Sequence, residues 1–468
     1  MARRAVVKQE EIVDIMQDDM DSDLDEMEKD LGLNQISLTD SRDRVSTGLL
    51  ALDLMMSGGT TPGAFMTFFG GEQAAKSTLA QTVLNRAIID NVPRLFYFDY
   101  EGSFQADYFE SIGRSMGSTY NQGDIFGVKD ESGRWVKKPK LRYYAEALGD
   151  KVFDTIYKLE KDLPSKLYRE GKWWYVFEGT RDNKAQYKAD LNVKLMRETG
   201  KCWIPAPDGK IQALIVCDSY PAMLFKESDE EQKKDGLGAQ ARAFAHHLKR
   251  IKGRMSEKRI GFLGVNQLRE KPMVMFGSPF YEPCGSALKF FSDVRVQLTA
   301  RAVLGGKGPV EEEDALGGGT DYYMYKNMKC IKNKLSTPNL EGWARIWTKD
   351  NQGKAHGFDP VFDTFIFLKE IGMVDGTKNR MKIYLPQMLE GEHKALTWKQ
   401  FKILIIGTPK QKRAVFTAVG IKKMFDLRKT CFSLFKRRIK QKDGVIVSRA
   451  MKMYFDFQRG DVEELEEE

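Results

Sequence analysis

Cysteine and histidine are scarce in this chain. Its five cysteines, Cys202, Cys217, Cys284, Cys330 and Cys431, are odd in number and scattered without a C-x-x-C pair, and only four histidines accompany them. Neither a disulfide framework nor a zinc site is supported by that spacing. Long apolar runs are also missing, since none approaches the roughly 18 residues that cross a bilayer. The N-terminal MARRAVVKQEE lacks the apolar stretch of a secretory signal. These absences lead to the expectation of a soluble, cytoplasmic protein.

What is present is enough for a real core. With 42% hydrophobic residues in 468, the chain exceeds one ordinary domain, and one large domain with smaller attachments is expected. The formal charge of +8 is unevenly spread. Both ends are acidic while the interior and the C-terminal third are basic, which suits a polyanionic partner.

The organising stretch is FMTFFGGEQAAKSTL, Phe65 to Leu79. An apolar run of strand character ends at Gly70-Gly71, Glu72-Gln73-Ala74-Ala75 follow, and Lys76-Ser77-Thr78 opens a helical segment. In a phosphate-binding loop of this layout, backbone N–H groups and the helix's positive end cradle phosphates, Lys76 reaches the β- and γ-phosphates, and Ser77 ligates Mg²⁺. A plain strand-turn-helix has the same layout, so the rest of the chain must decide. Ala75 stands where the second glycine of the usual pattern belongs; if positive φ is required there, its Cβ costs roughly 1–2 kcal/mol.

Upstream, Ile12, Met16, Met20, Leu24, Met27 and Leu31 recur at helical spacing among acidic residues. This amphipathic helix needs a partner surface, either its own core or a neighbouring subunit. Downstream, Leu95 to Phe98 read as a buried strand, with Asp99 and Glu101 at the C-terminal end, where a parallel sheet places its ligands. A carboxylate there can orient water against a γ-phosphate, and Glu101 is the candidate. Ala213 to Cys217 form a second buried strand that ends in Asp218, the layout by which nucleotide hydrolases hold Mg²⁺. Ile260 to Val265 form a third, ending in Asn266-Gln267. The long Gly/Pro-punctuated loop that follows contains Arg269, Lys271, Met275, Phe276 and Phe280, a composition suited to phosphates and an apolar wedge between bases. Between Gly117 and Gly209 lies an aromatic and basic insert, read either as a small subdomain core or as a stacking surface for single strands.

At this point the sequence resembles the RecA family of recombinases. NQLREKPMVMFGSPFYEPCGSALKFFSDVRVQL resembles that family's sensor glutamine, second DNA-binding loop and following helix, and IKNKLSTP resembles its paired-lysine segment. YFDYEGSF is similar to the catalytic-glutamate strand and STGLLALDLMMSGG to the entry into the core. Together these motifs cover most of Ser46 to Lys349 apart from the insert. The insert and Ala75 suggest the divergent recombinases of large bacteriophages.

The resemblance implies an α/β fold, a RecA-like P-loop ATPase core with a mostly parallel sheet flanked by helices. It implies an N-terminal helical oligomerisation segment (1–45), the core (46–350, with the insert 117–209), a small basic mixed α/β domain (351–445), and a tail (446–468) ending in acidic residues. ATP and Mg²⁺ would be held by the loop Gly70, Gly71, Glu72, Gln73, Ala74, Ala75, Lys76, Ser77 and Thr78, with Asp218 completing the metal site and Tyr108 stacking on adenine. Glu101 would polarise the attacking water and Gln267 would sense the γ-phosphate. The first DNA loop would fall near 226–236 and the second between Leu268 and Gly285, with Arg242, Arg269, Lys271, Phe276, Gly285 and Ser286 at the strand. Lys332 and Lys334 share a face on a strand, which in the family points at the ATP of the next subunit. Phe290 would anchor that head-to-tail, filament-forming interface.

The implied activity is ATP-driven filament formation on single-stranded DNA and strand exchange with a homologous duplex, in recombination, repair and phage replication. Single-strand-binding and mediator proteins are the implied partners. The basic C-terminal face either captures duplex DNA or is a solvated surface, and the tail from Asp461 either competes with DNA or aids solubility. A ring helicase and a non-hydrolysing DNA-binding regulator remain as alternatives.

Overall fold

The computed structural model describes residues 44–421, apart from residue 57 and the segments 164–165, 171, 179–193, 196–200, 206–210, 226–238, 271–279, 302–309, 314–319, 337, 351–353, 371–372, 378–379 and 384–392. Strands between 166 and 205 and the strand at 310–313 are described by their backbone alone. The N-terminal amphipathic helix, the first DNA loop at 226–236, Lys271, Phe276 and the acidic tail all lie outside the described residues.

The chain opens with α1 (Leu50–Met55), β1 (Phe65–Gly70), α2 (Lys76–Ile89), β2 (Leu95–Asp99), α3 (Ala106–Ser115) and α4 (Gln122–Phe126). There follow β3 (Val128–Lys129), β4 (Trp135–Lys137), β5 (Leu141–Ala145), α5 (Asp150–Asp162), β6 (Lys166–Glu170), β7 (Lys172–Glu178), β8 (Lys194–Leu195) and β9 (Lys201–Pro205). Then come β10 (Ala213–Asp218), α6 (Ala239–Glu257), β11 (Ile260–Gln267), β12 (Arg269–Glu270), β13 (Phe280–Tyr281), α7 (Ser286–Phe291) and β14 (Val294–Arg301). The remainder is β15 (Val310–Glu313), β16 (Thr320–Asn333), β17 (Leu340–Lys349), β18 (Gly357–Phe358), α8 (Pro360–Glu370), β19 (Val374–Thr377), β20 (Arg380–Ile383), β21 (Lys394–Leu396), α9 (Trp398–Ile406) and α10 (Pro409–Ala418).

One sheet, ordered β18-β17-β16-β14-β1-β11-β10-β2-β5, dominates. From β14 to β5 every pairing is parallel, and beyond β14 the pairings are antiparallel. The central strands β1, β2 and β10 are buried along their whole length, as strands covered on both faces must be. Alternate side chains feed two cores. Met66, Phe68, Leu95, Tyr97, Leu214 and Val216 face the side of α2, while Phe65, Phe96, Phe98, Ala213, Ile215 and Cys217 face the side of α5 and α6. The fold class expected from the sequence, a mostly parallel α/β sheet flanked by helices, is the one observed.

The stretch 117–209 is less of an insert than its composition implies. Within it, β5 pairs in parallel with β2 and forms the edge of the main sheet, and α5 covers the face behind it. Only Leu141 of β5 is buried; Arg142, Tyr143 and Tyr144 face solvent, so the strand has none of the apolar alternation that marks one in sequence. The hairpin β3–β4 and a separate antiparallel sheet, β6-β7-β9-β8, make up much of the rest.

Past β18 the chain is mixed α/β: α8, the antiparallel sheet β19-β20-β21, and α9 and α10, each started by a Thr/Gln capping box. Phe365, Leu404 and Phe416 share the apolar cluster of α2 and β1. A buried ion pair ties this part to the sheet. Arg345 of β17 donates to Asp359 at 2.6 and 2.9 Å, and its guanidinium lies 3.7 Å from the ring centre of Phe362 and 4.0 Å from that of Tyr323. Asp359 also accepts from the backbone of Val361 and Phe362 at the start of α8. Among the described residues no helix is long and apolar enough to cross a membrane.

Removing one member of such a pair strands the other charge. Asp359→Ala is expected to lower the unfolding free energy by about 3–5 kcal/mol, measured by urea denaturation. A loss below about 1 kcal/mol would show that the pair does not hold the two parts together.

Candidate functional site

Four parallel strands end side by side. Gly70 lies opposite Gln267 in the β1–β11 register, and Asp99 lies opposite Asp218 in the β2–β10 register. The loop after β1 therefore meets three polar strand ends at the C-terminal edge of the sheet. Gly70 is required there by crowding: a Cβ would stand 2.3 Å from the carbonyl oxygen of Leu298 in the neighbouring β14.

The loop turns through two left-handed residues that are not glycine, Gln73 at φ +56° and Ala75 at φ +66°. The Cβ cost foreseen for Ala75 therefore applies. Ala75 is the N-cap of α2, and no side chain caps the helix, so its first amides are left for a ligand. Lys76 is buried and its ammonium donates to the carbonyl of Gly71 at 2.6 Å. Burial pulls its pKa down, while the charges of Asp218, Glu101 and Glu72 push it back up.

Asp218 is almost completely buried, and burial raises its pKa to about 6 against the opposing hydroxyls of Ser77 and Tyr97; Glu101 and Asp99 add to the rise. Tyr97 donates to its Oδ2 at 2.7 Å, whereas Oδ1 has no partner. That orphaned buried oxygen, with the Ser77 hydroxyl beside it, fits a divalent cation. Among the described residues no group of three or more His, Cys, Asp or Glu could hold a metal ion. Ser77 and Asp218 would then be its protein ligands, with phosphate and water oxygens supplying the rest, as is usual for Mg²⁺.

Glu101 projects from the turn after β2. Its carboxylate accepts from Nε2 of Gln267 at 2.8 Å and from the Ser219 hydroxyl. Sequence reasoning missed what holds this turn. Asp99 accepts from the backbone N–H of Glu101 (3.1 Å), Gly102 (2.8 Å) and Phe104 (3.1 Å), and from the Tyr143 hydroxyl at 3.1 Å. An Asp ahead of Gly102 is a turn signal that could have revealed it. Tyr108, half-buried on α3, shares a hydrogen bond with Thr78 at 3.2 Å and so stands beside the start of α2.

The residues expected at DNA surround the next loop. Arg269 is exposed on β12, which pairs with β13 across the segment 271–279. Gly285, at φ +75°, packs against Ala241 of α6: a Cβ there would lie 3.0 Å from that of Ala241. Arg242, Gly285 and Ser286 are thereby brought to one place, where the roots of both expected loops adjoin. Phe290, on α7, is 72% exposed. Lys332 donates to the carbonyls of Lys289 (2.5 Å) and Phe290 (2.7 Å) at the end of α7, and Lys334 lies 3.7 Å from Asp293. The two lysines lie on the opposite face from buried Asn333. In this chain Lys332 caps its own α7, and Lys334 pairs with Asp293 just beyond that helix.

Fold and site together define a parallel α/β protein with a strand, a phosphate-type loop and a helix at the sheet's C-terminal edge. Comparison with known proteins carries this further. The RecA N-terminal domain family matches residues 207–347. Protein RecA of Aquifex aeolicus is 37% identical over 129 residues, 27% of this chain and 34% of that protein. Protein RecA of Bacteroides thetaiotaomicron is 34% identical over 168 residues, 32% of this chain and 46% of that protein. The chain thus spans between a third and a half of the length of these relatives. A crystal structure of the RadB recombinase aligns with 66% of this chain and 97% of its own, at 15% identity and a TM-score of 0.37. The segment 207–347, which holds Asp218, Gln267, Lys332 and Lys334 but not the phosphate loop, is thus similar to the RecA family.

Asp99→Ala removes the acceptor of three amides. Exchange of the amide protons of residues 101–104 is expected to accelerate, and the unfolding free energy to fall by about 1–3 kcal/mol. Tyr143→Phe, which removes one donor at the sheet edge, should cost under about 1.5 kcal/mol by the same measurement.

Proposed function

We propose that this chain is a DNA-dependent ATPase that assembles into helical filaments on single-stranded DNA and pairs and exchanges homologous strands, in recombination, repair and phage replication. The observation that carries the reading is the hydrogen bond from Gln267 to Glu101. Gln267 stands beside Gly70 of the phosphate loop, and its chain continues directly into the segment 268–285. One side chain therefore touches the candidate hydrolytic acid, borders the phosphate loop and begins the candidate DNA loop.

The residues divide the chemistry. The amides of the loop and of the uncapped α2 bind the triphosphate of ATP, with Lys76 moving from Gly71 onto its outer phosphates. Ser77 and Asp218 hold Mg²⁺, which supplies charge neutralisation at the phosphates when bound. Tyr108 packs against the adenine. Glu101 accepts a proton from, and orients, the attacking water. Gln267 exchanges its bond to Glu101 for one to the γ-phosphate and so reports the state of the nucleotide to 268–285.

Arg242, Arg269, Lys271, Phe276, Gly285 and Ser286 contact the strand through phosphate and stacking interactions, while base pairing supplies the specificity. Exposed Phe290 anchors the next subunit in a head-to-tail contact that does not close. Lys332 and Lys334 lie on that same side and reach its ATP, and the segment 1–45 docks on the neighbour. The division into core, C-terminal basic domain 351–445 and tail 446–468 follows the same reading.

ATP hydrolysis is expected to rise with single-stranded DNA and to fall about a hundredfold or more in Lys76→Ala and in Glu101→Gln, by phosphate release. Wild-type turnover no higher than that of Glu101→Gln, in a protein that binds DNA, would replace this reading with a non-hydrolysing regulator. Closed rings in place of open helices by electron microscopy would replace it with a helicase.

A further inference from the structure

Lys326 lies in β16, on the antiparallel extension of the sheet, yet it is only 3% exposed. Its ammonium donates to the carbonyl oxygen of Gln73 in the phosphate loop at 2.9 Å, across 253 residues of sequence. The register shows how a lysine fits there. Its cross-strand neighbours are Ala300 on β14 and Ala344 on β17, both small, and two residues along the same face Met328 lies opposite Leu298, the neighbour of Gly70. The lysine stem thus lies over alanines and its head reaches the loop that leaves β1 at Gly70.

Two further facts bear on its purpose. Among the described residues no carboxylate pairs with Lys326, and burial alone pulls its pKa below the ordinary lysine value. A buried cation without an anion is unfavourable unless an anionic ligand completes it. The loop it touches is also strained, for Gln73 and Ala75 both occupy the left-handed region with a Cβ. The other ammonium on this loop, that of Lys76, is bound to Gly71 and would be drawn away by phosphate.

We infer that Lys326 is a positioning residue of the phosphate site: it clamps the strained loop through the Gln73 carbonyl and places a fixed positive charge behind the bound polyanion. The clamp compensates for the missing glycine at position 75. The part concerning the polyanion rests on the nucleotide reading above; the clamp itself does not.

The test uses the full chain and two readouts. In the nucleotide-free protein, Lys326→Met should speed amide exchange of residues 71–77 by about tenfold, since a charge-assisted hydrogen bond is lost. In the presence of Mg²⁺, the same variant should bind ATP about tenfold more weakly, with kcat at saturating ATP held within roughly threefold. Adding Ala75→Gly should restore much of the loop protection, which a merely structural role of Lys326 would not predict. Lys326→Gln keeps a donor without the charge, and serves if methionine prevents folding: ATP affinity should drop while loop exchange rises less.

Loop exchange and ATP affinity both within about twofold of wild type, in either folded variant, would overturn the inference. Faster loop exchange in a protein whose wild type binds no ATP would uphold the clamp and sink the nucleotide reading instead.

Discussion

The parallel pairing of β1 with β11 is the constraint on which the rest depends. It sets Gly70 level with Gln267, and the neighbouring pairing of β10 with β2 sets Asp218 level with Asp99. A slip of one residue in either pairing would turn every side chain to the opposite face and exchange the two apolar cores. The alternation of Met66 and Phe68 against Phe65, and of Tyr97 against Phe96 and Phe98, makes such a slip costly. The polar strand ends are thus aligned by hydrophobic burial several residues away from them.

Within that frame the site holds groups that are incompletely satisfied by the protein alone. The uncapped start of α2, the partnerless Oδ1 of Asp218, the ammonium of Lys326 and the left-handed Gln73 and Ala75 all lie within one loop and its supports. Elsewhere some buried polar groups are well matched, as Arg345 and Asp359 or Asp53 with Ser46 and Thr47 illustrate, while Thr60 Oγ1, Tyr220 Oη and Glu282 Oε2 are also buried without a hydrogen bond. What distinguishes this edge is that two left-handed non-glycine residues, an uncapped helix start and a buried ammonium meet at one loop, an arrangement suited to an anionic ligand.

The legible parts of the sequence were those whose signal is local. The loop Gly70 to Thr78 and the apolar strands ending in Asp99, Asp218 and Gln267 show in composition and period. The edge strand β5 did not, because an edge with one solvent face needs few apolar residues. Asp99 read as a second strand-end acid, though its partners are backbone amides that only the folded turn brings together. Lys326 carried no signal at all, since it is one lysine among several in a strand and its partner is a main-chain oxygen 253 residues away.

By itself, then, the sequence determined the core strands that end at Gly70, Asp99, Asp218 and Gln267, the phosphate-type loop and the identity of the polar residues at those ends, since these follow from side-chain period and turn chemistry over a few residues. The tertiary structure alone decided that Gln267 meets Glu101, that Tyr143 joins Asp99, and that Lys326 reaches Gln73. Such contacts depend on strand order and register across the sheet, which are set by the summed packing of two cores and leave no trace at any single position.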